Sequence, residues 1–210
     1  MRFFNSAIQV TSVILFAAIA QATPILDQQN APSENLMGLS VANDRSQIQS
    51  FTVGITGILA HIDVQVGRRD NTVEDLVLSV WTADSLGLPT NKLASASVPA
   101  AAVPLLFVAP VPFTTFDLSA AAIPVFVDES LAIVLDSAAP NTFPFNERYD
   151  WFFGGQYPRG VASTKLGSSF SIFFNDDFHF KTFVSVPEPH AWSLLVMGLC
   201  VLYLRRICVG

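Results

Sequence analysis

Between residues 23 and 186 apolar and polar positions alternate with a period of two, and Gly, Pro, Asn and Asp interrupt the alternation every few residues. In the run from 58 to 66, Ile58, Ala60, Ile62, Val64 and Val66 share one parity, while Leu59, His61, Asp63 and Gln65 share the other. A strand with that pattern turns its first set inward and its second to water. Leu76, Leu78 and Val80 repeat the pattern up to Trp81 and Thr82, and the turn-rich stretch 83 to 91 follows. Further strands are predicted over 48–53, 93–98, 113–118, 130–135, 149–153, 170–174 and 178–184. No stretch has the helical period over ten residues or more, so this region reads as all-β, with about nine or ten short strands in a two-sheet sandwich.

Proline refines the picture. Pro99, Pro104, Pro110, Pro112, Pro124 and Pro140 fall in a region of Ala and Val, and none can donate to a strand ladder. They are expected in loops, at strand starts or on sheet edges, where they also discourage edge-to-edge aggregation. The alanine runs 100–102 and 120–122 read as connectors or short helical turns.

Both ends of the chain have a different pattern. Residues 1 to 22 hold one charge, Arg2, followed by the 11-residue apolar run 10–20 and small residues at Ala20 and Ala22. This is the layout of a secretory signal peptide cleaved before Thr23, and its apolar core is short against the roughly 20 residues of a spanning helix. At the other end, Pro187-Glu188-Pro189 precedes the 14-residue apolar run 191–204, and Arg205-Arg206 closes it. Two prolines one residue apart keep the peptide before the helix extended and open to a protease. The arginine pair stays on the cytoplasmic side and so orients residues 23 to 189 outward. A plain, uncut C-terminal anchor is the simpler alternative.

The order Pro-Glu-Pro, apolar helix, basic pair resembles the PEP-CTERM sorting signal of proteins exported by Gram-negative bacteria. The resemblance covers the last 24 residues, 187–210. It implies that Pro187, Glu188 and Pro189 mark the region recognised by a membrane-embedded exosortase, that Arg205 and Arg206 form the basic stop, and that the processed protein passes to the cell surface. The chain then divides into a signal peptide (1–22), an extracytoplasmic β-sandwich domain (23–186) and a sorting tail with a transmembrane helix (187–210).

Composition narrows the function classes. The chain is 51% hydrophobic and 13% charged with a net charge of −6, which is not the composition of a disordered segment. With Arg2, Glu188, Arg205 and Arg206 outside it, the body keeps 8 basic against 16 acidic side chains. That balance excludes nucleic acid and disfavours anionic lipid or glycan, while a neutral polysaccharide or a cation remains compatible. Cys200 and Cys208 both lie in the tail, so the body has neither a disulfide nor a thiolate metal site.

Catalytic signatures are missing: there is no G-x-S-x-G elbow, H-E-x-x-H, P-loop or dinucleotide fingerprint. His61, on an outward strand face, and His179, between Phe178 and Phe180, read as surface or partly packed histidines rather than general bases. The chain is therefore expected not to be an enzyme. Asn175-Asp176-Asp177, Asp128-Glu129, and Glu74-Asp75 with Asp70 and Asn71 offer oxygen ligands for a structural calcium ion. None has an EF-hand-like spacing, and Asn and Asp also suit turns for purely conformational reasons; no cofactor is expected.

The segment 149–159 is the most suggestive part of the body. Trp151 and Tyr157, with Asp150, Gln156 and Arg159 nearby, supply the aromatic faces and polar partners that a sugar ring needs. Aromatic residues at strand spacing more commonly fill a core, and Trp81 has the same ambiguity. The pattern 49–53, 57–66, then Trp81-Thr82 and Gly87-Leu88-Pro89 also resembles jelly-roll modules of exported bacterial proteins, which are similar to carbohydrate-binding modules. It implies a jelly-roll-like sandwich and, by itself, no activity. The expectation is a surface-sorted structural or adhesive protein among extracellular polysaccharide, with a carbohydrate-binding module as the alternative.

Overall fold

The computed structural model describes residues 22–31, 37–106, 110–141, 147–173 and 176–186. The described chain is all-β. One sheet comprises β1 (Ile25–Asn30), β2 (Met37–Val41), β4 (Gly57–Arg68), β7 (Phe113–Asp117), β8 (Ile123–Val125), β10 (Tyr149–Phe153) and β13 (Phe180–Ser185). The other comprises β3 (Arg45–Thr52), β5 (Leu76–Ala83), β6 (Pro89–Val98), β9 (Ser130–Ser137), β11 (Ala162–Leu166) and β12 (Ser169–Phe173).

All of these strand pairs are antiparallel. The first sheet runs β1-β13-β4-β10-β2, with β7 and β8 also paired to the long strand β4; the second runs β12-β11-β3-β9-β5-β6. The inward parities of both sheets meet in one core. From the first come Ile62, Val64, Val66, Trp151 and Phe180, and from the second Phe51, Leu78, Val80, Ile133 and Leu135, all buried. Each such side chain contributes about 1.5–3 kcal/mol on leaving water, which makes this shared interior the dominant stabilising term. The arrangement is a two-layer, sandwich-like one, as the alternation predicts.

The parity of β4 needs a correction. Phe183 pairs with His61 and Val184 with Leu59, so Ala60 is an extra, bulged residue. The bulge reverses the alternation before it. Leu59 therefore takes the inward place at 1% exposure, and Ile58 is only half-buried, while Ile62, Val64 and Val66 keep the predicted side.

The predicted strands are all present within a few residues of their expected limits, except that Phe174 lies outside the described residues and Phe178 forms a lone bridge to Phe153 ahead of β13. The strands β1, β2, β8 and β11 are additional. Of these, β1 and β11 hold few apolar residues and β8 is only three residues long, and their register comes from long-range partners rather than from local pattern. Pro124 lies in β8, an edge strand paired only to β4, where its missing donor costs nothing. Both alanine runs form 3-10 turns, at Ala100–Ala102 and Ser119–Ala121.

Among the described residues no helix is long and apolar enough to cross a membrane. The predicted tail helix, together with Pro187, Glu188, Pro189, Arg205 and Arg206, lies outside the described residues, as do residues 1–21 with Ala20. Ala22 is described; it lies half-buried three residues before β1.

Candidate functional site

The aromatic segment from 149 to 159 was the leading candidate, and β10 determines what becomes of it. Its inward parity carries Tyr149 and Trp151, both with no exposed surface. The indole of Trp151 stacks on Phe178 at 4.4 Å between ring centroids, and its Nε1 donates to the His179 carbonyl at 2.9 Å. Tyr157 meets Phe180 edge-on at 5.2 Å, and its hydroxyl donates to Gln28 Oε1 at 2.8 Å. Burial pushes its phenol up to about 12.

These contacts correct the platform expectation. Trp151 and Tyr157 fill the core, whereas Gln156 and Arg159 are exposed. Arg159 is drawn to the rim, where Nη2 pairs with Asp128 Oδ1 at 3.0 Å. The four residues do not converge on a common surface. A ring stacked on Phe178 and closed from solvent has no face left for a sugar.

Beside the aromatic block lies a polar knot that sequence reasoning missed. Asp177, 7% exposed, accepts from Gln49 Nε2 at 2.8 Å through Oδ1 and from the Tyr157 backbone N–H at 2.9 Å through Oδ2. Gln49 Oε1 in turn accepts from the Phe178 N–H at 2.7 Å, and Asn30 Nδ2 donates to the carbonyls of Gly154, Asp177 and Phe178. Desolvation raises the Asp177 carboxyl above its ordinary value, against the two donors. The knot joins β1, β3 and the chain leading into β13, and its consequence is structural. A signal for it existed: Gln47 and Gln49 share the inward parity of Phe51 and Val53, and a polar residue there requires a buried partner.

His179, expected at the surface or partly packed, is packed throughout. It is 1% exposed, with Nδ1 2.7 Å from Gln65 Oε1. Gln65 Nε2 donates to the Val111 carbonyl, which leaves Oε1 as an acceptor and assigns the imidazole proton to Nδ1. Desolvation lowers its pKa, so the ring is neutral at pH 7. His61 keeps its outward position and stacks on Phe183 at 4.2 Å.

The acidic clusters have turn and framework roles. Asp128 adopts a left-handed φ of 68°, and Glu129 accepts from the Phe126 N–H. The backbone carbonyls of Glu74 and Asp75 accept from Tyr149 and Ser137, and the Asp70 carbonyl from Arg68. Asp177 belongs to the knot. Among the described residues no three His, Cys, Asp or Glu side chains converge on one point.

The outer faces of the two sheets differ in chemistry. Across the first sheet, Asp63 pairs with Lys181 on one side and Thr115 on the other, His61 pairs with Phe183 and Asp117, and Asp150 is held by Arg69 at 2.9 Å and Arg148 at 3.2 Å. Across the second, the register aligns Ile172, Ser163, Ile48, Val134, Ser79 and Ser95, a row without a charge. The next row is Ser50, Ala132, Trp81 and Lys92. Ile48, Ala132 and Val134 form a small buried cluster of their own, and the half-buried Trp81 lies against it. Its Nε1 donates to Ser79 Oγ at 2.8 Å.

The loop from 84 to 88 folds back over this face. Asp84 Oδ1 caps the N–H groups of Leu86 and Leu88, and Gly87 has a φ of 79°. A Cβ at Gly87 would come within 2.5 Å of Val161 Cγ2 and 2.6 Å of Ser50 Oγ, so only glycine admits this approach. The loop thus walls one end of the row that contains Trp81. In comparisons with protein-family models and with curated proteins, the chain matches none.

Proposed function

We propose that this is an exported protein delivered to the cell surface by its C-terminal tail, where the body is a structural or adhesive component among extracellular polysaccharide. The observation that carries the reading is the ordered run Pro187-Glu188-Pro189, 14 apolar residues and Arg205-Arg206. In this reading an exosortase-type membrane peptidase recognises the tripeptide and removes the tail, and the protein is membrane-anchored only until then. The body does not act as an enzyme.

The strand register brings the ends of the body together. Ile25 pairs with Val184, so the chain just after the signal peptide and the chain just before the tripeptide emerge side by side. The two ends of the described body thus lie at one end of the fold. The body itself reads as a jelly roll. One sheet runs β1-β13-β4-β10-β2 with β7 and β8 paired to β4, the other β12-β11-β3-β9-β5-β6, and the chain crosses repeatedly between them, which is compatible with a jelly-roll-like sandwich.

Replacing Pro187, Glu188 and Pro189 together with alanine in the native host tests the sorting reading. The expected result is a protein that begins at Thr23, keeps its C-terminal tail and is retained in the inner membrane. Surface delivery and tail removal at the unaltered rate would overturn it. The alternative of a carbohydrate-binding module built on Trp151 and Tyr157 loses its support, because both aromatics belong to the core.

A further inference from the structure

We infer that the end of the body from which both termini leave is a membrane-contact surface, and that Phe126 and Val127 seat it on a bilayer of zwitterionic phospholipid. The inference rests on the reading of the tail as a membrane-inserted sorting signal, and names the part of the body that meets lipid before the tail is cut.

Strand register defines this end. Ile25, Val184, Leu59 and Ile123 form one row across β1, β13, β4 and β8, and Gly57 opposite Val125 lies beyond it. Phe126 and Val127 follow directly, in the turn into β9. The loop from 84 to 88 belongs to the same end, because β5 finishes where β9 starts, with Thr82 opposite Leu131. Ile25, Leu26, Leu86, Phe126 and Val127 therefore gather at one pole, each 40–60% exposed. Single apolar side chains are ordinary on a surface, whereas a group of them marks a contact. At the opposite pole, about 40 Å away along the twelve residues of β4, Val73 is exposed among Asp70, Glu74 and Asp75, and Leu166 stands apart on the other sheet.

The turn itself suits an apolar medium. Its four backbone N–H groups are all taken: Phe126 donates to Glu129 Oε2 at 3.1 Å, Val127 to Thr56 Oγ1 at 3.1 Å, Asp128 to the Val53 carbonyl at 2.9 Å and Glu129 to the Phe126 carbonyl at 3.0 Å. A bare N–H would oppose burial in lipid. The acidic groups nearby are engaged as well. Asp128 pairs with Arg159 at 3.0 Å, Asp84 caps Leu86 and Leu88, and Asp27 accepts from the Gly54 N–H at 2.9 Å. These three and Glu129 outweigh Arg159 and the more distant Lys92, so a zwitterionic headgroup is favoured over an anionic one.

Chain length brings this pole to the lipid. From Ser185 to Ala191, where the apolar run begins, six steps span at most about 20 Å. Ser185 pairs with Ile58 and Ile58 with Pro124, so the strand that leads to Phe126 lies two spacings, about 10 Å, to the side of Ser185. With the run inserted, the apolar pole is held against the headgroup region.

The test reconstitutes the exported, untrimmed chain, Thr23 to Gly210, into vesicles of phosphatidylcholine and phosphatidylethanolamine, with Phe126→Trp as reporter and Val73→Trp as the control at the far pole. The lipid carries a nitroxide high on its acyl chain, which quenches an indole at the headgroup boundary. Flotation of both variants is expected, with about half of the added emission lost in Phe126→Trp and none in Val73→Trp. A second reporter, Leu86→Trp, is expected to be quenched too, and to lose that quenching when Phe126 and Val127 are replaced by serine. Near-ultraviolet circular dichroism confirms that each variant is folded. Floating protein in which Phe126→Trp is quenched no more than Val73→Trp would overturn the inference and leave the tail an anchor. Quenching of Leu86→Trp that survives the two serines would overturn the role given to Phe126 and Val127. A chain that does not float removes the reading of the tail, and the inference with it.

Discussion

Trp81 and Trp151 both stand in strands rich in apolar residues, and they end on opposite sides of the fold. Trp151 lies at the inward parity of β10, stacked on Phe178 with no exposed surface, whereas Trp81 lies at the outward parity of β5, over Ala132. The difference teaches that aromatic content does not make a site. One step of strand register decides whether an indole fills the shared core or lies half-buried on the outer side of its sheet.

Four predictions break or sharpen that contrast. Trp151→Ala removes the largest fully buried side chain and is expected to cost about 3–5 kcal/mol in chemical denaturation, enough to leave little folded protein. A loss below about 1 kcal/mol would mean that the aromatic block is not the core. Asp177→Asn comes next. The two carboxylate oxygens accept from Gln49 and from the Tyr157 N–H, and an amide would turn a donor toward one of them, at about 2 kcal/mol.

The third concerns pH. Because His179 has a lowered pKa in the folded chain, the unfolded chain binds the proton more readily, and stability is lost as pH falls below about 6.5. His179→Gln is expected to flatten this part of the profile. Asp177 acts in the opposite sense at lower pH: its raised pKa means that stability declines as pH rises through the range just above 3.8. The smallest effect is that of Trp81→Ala, about 1 kcal/mol or less, because the ring is only half-buried. A destabilisation equal to that of Trp151→Ala would erase the distinction between the two tryptophans.

Much of the architecture was legible from alternation alone, since Leu76, Leu78, Val80, Leu131, Ile133 and Leu135 all face inward at the parity their sequence sets. The bulge at Ala60 was not, because it arises from the pairing of β4 with β13, about 120 residues away, and no local pattern reports it. The strands β1 and β11 were missed for the same reason. The candidate site was less legible still. The run at 149–159 advertised aromatics and polar groups together, but the polar groups Gln156 and Arg159 turn to solvent at the end of the segment while the rings turn in. Conversely, the uncharged outer row is assembled from one residue on each of six strands, from Ile172 to Ser95, and exists only once the register is known.

In the proposed function both ends of the chain are removed and a folded body is left at the cell surface. The direct measurement is the intact mass of the protein recovered from the surface of its native host. The predicted species begins at Thr23 and lacks the apolar run that ends at Arg205 and Arg206. A surface species that retains that run, or a full-length chain found only in the cytoplasm, would contradict it.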